Sequence, residues 1–210
     1  MRKLLLFPII VMISFIIGGC DKGSIFNEKD KEIINNHPIS LLNIYTTDNK
    51  YEAPTLKEKS TDLKQSEIQS ELFKQLAVRM METVLDTNNP GVGIAAPQIG
   101  INKRVVVVQR FDKEEEPLEV YANIYITEYS PETEEGQEGC LSIPETSAKI
   151  TRSKWVKITY TDPKTLEKIS EKISGFTAVI FQHEIDHLEG VLFTDRAREE
   201  AKLLTVDSEI

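Results

Sequence analysis

The sequence predicts an α+β fold, in which short antiparallel strands pack around a central helix that carries the candidate chemistry, with a second, long amphipathic helix ahead of them. Three observations predict it. Between Leu63 and Asp86 the apolar residues Ile68, Leu72, Leu76, Met80 and Val84 recur at four-residue intervals, the spacing of one face of a helix. Downstream, short runs dense in Val, Ile and Tyr alternate with turn residues, as strands do. A second helical stretch, from near Gly175 to Gly190, holds two histidines four positions apart.

In chain order, the first element is an export signal. Arg2 and Lys3 precede an apolar stretch from Leu4 to Ile17 that ends in Gly18, Gly19 and Cys20. This ending resembles the lipoprotein box of bacteria, in which the cysteine is lipidated and becomes the new N-terminus, so residues 1–20 are expected to be a signal peptide and Cys20 a lipid anchor facing out of the cell; the alternatives are an uncleaved anchor, which also leaves the domain facing out, and a misassigned start, which leaves the protein in the cytoplasm. Asp21 to His37 is polar with a few isolated apolar residues, which reads as a tether. Residues 38–210 then form one catalytic domain. Within it the helix of 63–86 is followed by a Gly-rich turn at Pro90 to Gly93, strands at Arg104 to Arg110 and Val120 to Glu128, and a hairpin of Trp155 to Thr161 with Leu166 to Ile173 around Asp162-Pro163. The second helix starts near Gly175 and ends at Gly190, a residue suited to the position just past a helix end. No internal repeat or low-complexity tract is visible.

The formal charge is −9 over 210 residues, and loss of Arg2 and Lys3 with a signal makes it more negative, which disfavours a nucleic-acid partner. Of the two cysteines, Cys20 and Cys140, a lipidated Cys20 would leave Cys140 without a disulfide partner, so another use for that thiol is expected.

The chemistry concentrates in Phe181 to Gly190, which contains His183-Glu184-Ile185-Asp186-His187. Histidines at i and i+4 of a helix stand on one face and can reach one ion, and Glu184 lies beside His183 as a carboxylate for proton transfer. Catalytic sites of this kind take three protein ligands and keep one position open. The third is not a histidine on the same helix, because Phe193 stands where metzincin-type proteases have one, and no methionine follows Met81 to make their Met-turn. Little chain remains after His187 in which to build a second helix with a ligand glutamate. Cys140 remains, in Glu138-Gly139-Cys140-Leu141-Ser142. A third segment, Gly91-Val92-Gly93-Ile94-Ala95-Ala96-Pro97-Gln98, has small residues that allow close approach of another backbone.

In this order the three segments resemble the signatures of the peptide deformylase family, G-x-G-(aliphatic)-A-A-x-Q, E-G-C-L-S and Q-H-E-x-D-H-L, with Ile94 where Leu is usual. The resemblance covers about residues 38–197. It implies an enzyme that hydrolyses the formyl group from N-formylmethionyl peptides, with Cys140, His183 and His187 holding one divalent metal ion, Fe2+ by family habit with Zn2+ or another ion able to replace it. It implies Glu184 as the acid/base, Gln98 and the backbone N–H of Leu141 as oxyanion donors, and Val92 and Gly93 as backbone partners of the peptide. Phe176, Val179 and Ile180 share a helix face with the histidines, so a methionine side chain can lie there. Relatives often carry Arg where this chain has Glu145-Thr146-Ser147, and the short tail after Asp195 lacks the basic helix by which some dock on ribosomes, so ribosome docking is not expected. A monomer is expected. Two other readings fit parts of the pattern: a lipoprotein that keeps the fold to bind peptides without turnover, and a metal-dependent peptidase.

Overall fold

In a computed structural model, which describes residues 23–36, 41–88 and 90–207, four antiparallel pairings build a five-stranded sheet, and a separate two-stranded hairpin folds beside it. The expected signal at 1–20, Cys20 and His37 lie outside the described residues. The elements are α1 (Glu28–Asn35), α2 (Ala53–Leu56), α3 (Gln65–Ile68), α4 (Glu71–Val84), β1 (Gly93–Ala95), a 3-10 turn (Ala96–Ile99), β2 (Val105–Gln109), β3 (Leu118–Tyr129), β4 (Thr133–Cys140), β5 (Ile143–Ser153), β6 (Trp155–Thr161), β7 (Lys168–Ser174), α5 (Phe176–Leu188) and α6 (Phe193–Asp207). The sheet order is β1-β2-β3-β6-β7, and β4 pairs with β5. This is the expected α+β arrangement around one central helix.

The valines of β2 show why the sheet is buried on both faces. Val105 and Val107 pack with α4, while Val106 and Val108 pack with α5. Alternate residues of a strand point to opposite faces, so an unbroken apolar run marks a strand covered on both sides. On the α5 side Phe181 meets Tyr121 edge to face, with ring centroids 5.0 Å apart, an arrangement that aromatic quadrupoles favour. The helix that carries the histidines is thus clamped to a rigid sheet. It ends at Gly190, whose φ of 72° is a left-handed value, and a Cβ there would lie 2.4 Å from the Lys57 carbonyl oxygen, so both conformation and space require glycine.

The structure departs from the sequence reading in four places. The long helix of 63–86 is two: α3 ends at Ile68, and α4 restarts where the Ser70 hydroxyl accepts the Phe73 N–H at 3.1 Å. A serine that satisfies a free N–H makes a better helix start than interior, and Ile68 stays in the core across the break. The tether is the second correction. Within Asp21 to His37, residues 23–36 are folded: Asn27 and Asp30 form a reciprocal capping box at the start of α1, and Phe26 and Ile34 are fully buried in the main core. Arg79 of α4 donates to the carbonyls of Ile33 and Ile34 at 2.8 and 2.7 Å, which satisfies the end of α1. Phe26, Ile33 and Ile34, which looked isolated in the chain, therefore meet in the main core.

Third, β4 and β5 went unread as strands. Fourth, the chain after His187 does build a helix, α6, which packs through Phe193 and Ala197 against Ile143, Ile150 and Ala148 of the hairpin. No helix among the described residues is long and apolar enough to cross a membrane.

Candidate metal centre

Two separate stretches converge on α5. Cys140 ends β4, Gln98 closes the 3-10 turn after β1, and α5 supplies His183, Glu184 and His187. Ligand atoms of Cys140, His183 and His187 all lie within 4.8 Å of one another. The His187 Nε2 is 3.3 Å from the Cys140 Sγ, and the two imidazole rings stand 5.1 Å apart. One sulfur and two imidazoles in this space suit a tetrahedral divalent ion with a fourth position open. His187 is fully buried and its Nδ1 has no hydrogen-bond partner; burial and the charge of His183 keep its pKa well below the usual value, so it stays neutral, as a ligand must.

Behind the ligands runs a chain of ion pairs. The His183 Nδ1 lies 2.9 Å from Glu138 Oε2, so the ring is held with Nε2 facing the site. Glu138 in turn accepts two bonds from Arg152, at 2.7 and 3.0 Å. Arg152 also donates to Asp186 at 2.6 Å, and Asp186 accepts from Arg196 of α6. Gln182 adds a pair of bonds to the backbone of Ser153, at 3.0 and 2.9 Å. Hairpin, α5 and α6 are thereby locked together around the histidines.

Burial alone would raise the pKa of Glu138, but His183 and Arg152 outweigh it and hold the carboxyl at about 2. Its contribution to stability is complete above the unfolded value near 4.5 and disappears as pH falls through about 2, a loss on the order of 3 kcal/mol. We expect urea midpoints of the parent to drop steeply between pH 4.5 and 2. Arg152→Met, which strands two buried carboxylates, should already be less stable at pH 7 by about 3 kcal/mol and show a shallower drop; equal slopes for the two proteins would contradict this account.

Glu184 is placed differently. It is buried, its Oε2 has no partner, and burial pushes its pKa to about 7, with His183 opposing. Burial opposes the charged form of His183, but contacts with Cys140, Glu138 and Glu184 outweigh it and hold the metal-free ring at about 10, so an ion binding there must displace its proton. Gly93 accommodates the Glu184 carboxyl: a Cβ at 93 would lie 2.7 Å from Glu184 Oε1 and 3.0 Å from Ile180 Cγ2. Gly93 therefore makes room for a side chain, where the sequence suggested room for a backbone.

Gln98 is held by the Ala95 N–H, which donates to its Oε1 at 2.8 Å. This fixes the amide so that its NH2 points into the site, 3.5 Å from Cys140 Sγ and 3.3 Å from Ser142 Oγ. A cleft of about 740 Å³ opens over these groups. Val92, Gly93, Leu141, Phe176, Val179 and Ile180 line it, beside Gln98, Cys140, His183 and Glu184. Every residue named from the sequence for ligation, catalysis or substrate contact is thus in one place, with His187 buried beneath. Glu145, Thr146 and Ser147 line it too, and among the described residues no Lys or Arg does. Sequence reasoning gave no role to Glu138, Ser142, Arg152, Asp186 or Arg196; Glu138, Ser142 and Asp186 stand inside the quoted motifs, which was the available signal.

Comparison with known proteins matches residues 46–203 to the family model described as polypeptide deformylase. The chain belongs to the polypeptide deformylase family. It is 39% identical over 152 residues to a peptide deformylase of Leptospira biflexa, covering 69% of this chain and 83% of the relative. To a peptide deformylase of Thermotoga neapolitana it is 45% identical over 134 residues, covering 64% and 77%. The crystal structure of a class I type b peptide deformylase from Acinetobacter baumannii bound to Met-Ala-Ser superposes with a TM-score of 0.66 at 36% identity, covering 75% of this chain and 98% of that one. The deformylase fold and the family place the protein among the metal-dependent enzymes that remove formyl groups from peptides.

Proposed function

We propose that Cys140, His183 and His187 hold a divalent ion, that Glu184 moves the proton, and that the substrate is an N-formylmethionyl peptide. The observation that carries this is the buried, unpartnered Glu184 carboxyl beside a thiol and two imidazoles, at the floor of an apolar cleft. When bound, the ion supplies Lewis acidity, polarising a carbonyl and acidifying water. Glu184 accepts a proton from the attacking water and delivers it to the departing nitrogen, for which a pKa near the operating pH is suited. The Gln98 amide NH2 and the Leu141 N–H donate to the oxygen that gains charge on the formyl carbon. Val92 and Gly93 align the peptide backbone, and Phe176, Val179 and Ile180 receive the methionine side chain. Formate and a free amine leave.

The test is formate release by the metal-loaded full chain, under anaerobic conditions, from formyl-Met-Ala-Ser against Met-Ala-Ser. Formate from the first and no cleavage of the second supports the reading. Peptide-bond cleavage of the second would make it a peptidase, and binding of the first without formate a non-catalytic peptide-binding protein. Removing the oxyanion donor gives a graded check: Gln98→Ala should lower kcat by about a hundredfold or more with smaller change in KM, and a loss confined to KM would remove that role.

We also propose that Cys20 is lipidated and that the domain acts outside the cytoplasmic membrane, on exported or foreign formyl peptides. Support comes from Arg2-Lys3, the apolar run and Gly18-Gly19-Cys20. Ser24 is already bonded into the domain, its N–H to the Asp62 carbonyl at 2.7 Å. Four residues of chain reach at most about 14 Å, so a lipid on Cys20 would hold the domain against the bilayer. Zinc suits this location better than ferrous iron, because an iron–thiolate site is open to oxidation at the metal and at Cys140. Fractionating cells that express the parent or Cys20→Ala tests the anchor: membrane-bound parent and released variant support it, and a cytosolic parent overturns it.

A further inference from the structure

A second cavity, of about 410 Å³, adjoins the cleft at the metal centre. The two share Gln137, Glu138, Phe176 and Val179 as walls. Phe176 and Val179, to which the proposed function assigns the methionine side chain, therefore face both spaces.

Two glycines leave the second space open. In β4, residues two apart lie on the same face, so Glu134, Gly136 and Glu138 share one, and Glu138 is turned to α5 by its bond to His183. Position 136 thus lies on the face turned to α5, paired with the fully buried Ile150 of β5 but itself exposed at the cavity's open side, and has no side chain. A Cβ built at Gly136 meets nothing within 4 Å, and the same holds at Gly175, which also lines the cavity.

Most of the charges around this space are matched, and Glu134, which also lines it, is exposed to water. Arg152 bonds Glu138 and Asp186, Glu135 pairs with Lys149 at 2.7 Å, and Lys154 lies 3.6 Å from Glu132. Ile150, Phe176, Val179 and the two glycines supply its apolar walls, beside the polar Gln137 and Ser153.

We propose that the methionine-binding cleft continues into this cavity, that the enzyme takes N-formyl peptides whose first side chain is an apolar chain longer than methionine's, and that Gly136 sets the depth. The proposal rests on the deformylase reading of the site. Each methylene that leaves water for an apolar space is worth roughly fourfold in binding, so a longer chain that enters the cavity gains where one blocked by a wall is rejected. A leucine at 136 would project from the inner face and fill the space.

The experiment compares kcat/KM for formyl-Met-Ala-Ser and formyl-(2-aminodecanoyl)-Ala-Ser, with the metal-loaded full chain and with Gly136→Leu. The parent is expected to process the longer substrate at least as well as the methionine one, and Gly136→Leu to lower the ratio of longer to methionine substrate by about tenfold or more. A parent that turns over the methionine peptide but discriminates against the longer one by more than about tenfold overturns the extension and leaves the deformylase reading intact. An unchanged ratio in a folded Gly136→Leu overturns the role of Gly136. If that variant does not fold, the parent's own ratio still decides whether the cavity is used. Turnover of neither peptide by the metal-loaded parent overturns the deformylase reading and this proposal with it.

Discussion

Glu184→Gln is expected to keep its metal ion and lose most of its turnover, by about a hundredfold to ten-thousandfold in kcat, the usual range for a positioned acid/base. The amide matches the carboxyl in size, so it fits against Gly93, where the carboxyl lies close enough to exclude even a Cβ. It cannot accept a proton. A base must be ionised to act, so kcat/KM of the parent should rise with pH through the Glu184 pKa and then level. In the metal-free protein burial places that pKa at about 7; a cation bound beside the carboxylate lowers it, so the rising limb should lie below pH 7. The variant should lack this limb. A second readout separates proton transfer from damage to the fold. A carboxyl whose folded pKa is raised weakens the fold as pH climbs from near 4.5 to about 7, so the metal-free variant should be more stable than the metal-free parent at pH 8 and not at pH 4. Activity of the variant within tenfold of the parent would remove Glu184 from the mechanism.

What could be read in the sequence was local in the chain or carried by residues with few alternative uses. His183 and His187 are one helical turn apart, so their convergence follows from helix geometry alone. Cys140 could be named because a lipidated Cys20 would leave it without a disulfide partner, and because Phe193 and the methionine count excluded the metzincin solution. The pairing of Arg152 with Glu138 and Asp186 was not legible, because it depends on the β4–β5 register, in which Glu138 faces Ala148, and on the docking of that hairpin against α5. The hairpin itself escaped because the inner face of β4 is Glu134, Gly136 and Glu138, which shows no apolar alternation. Its burial is achieved by one ion-paired carboxylate, and polar residues in such a run read as loop. Likewise α1 depends on Phe26 and Ile34 meeting α4, a tertiary event that composition hides.

Cys140→Ser is expected to lower the bound metal to about a tenth of the parent's content or less under equal supply, or to exchange the preferred ion, and to abolish turnover with it. A serine hydroxyl is a hard, neutral donor that the ion does not readily deprotonate, while a thiolate is soft and anionic and favours zinc and iron. Geometry sharpens the expectation. Cys140 sits at a register shift between Gly139 and Cys140 at the end of β4, where the backbone is held by the hairpin and cannot follow a shorter donor inward. His183 is fixed from behind by Glu138, and His187 is buried on α5, so neither ligand can move to close the gap. The fold has little reason to fail, because Cys140 is only partly buried and the neighbours of its sulfur, Gln98 and His187, are polar. Circular dichroism and urea midpoints near those of the parent, with metal content reduced, would therefore separate loss of a ligand from loss of structure. Unchanged stoichiometry of iron or zinc together with unchanged activity would show that two histidines and some other group suffice, and Cys140 would have to be withdrawn as the third ligand.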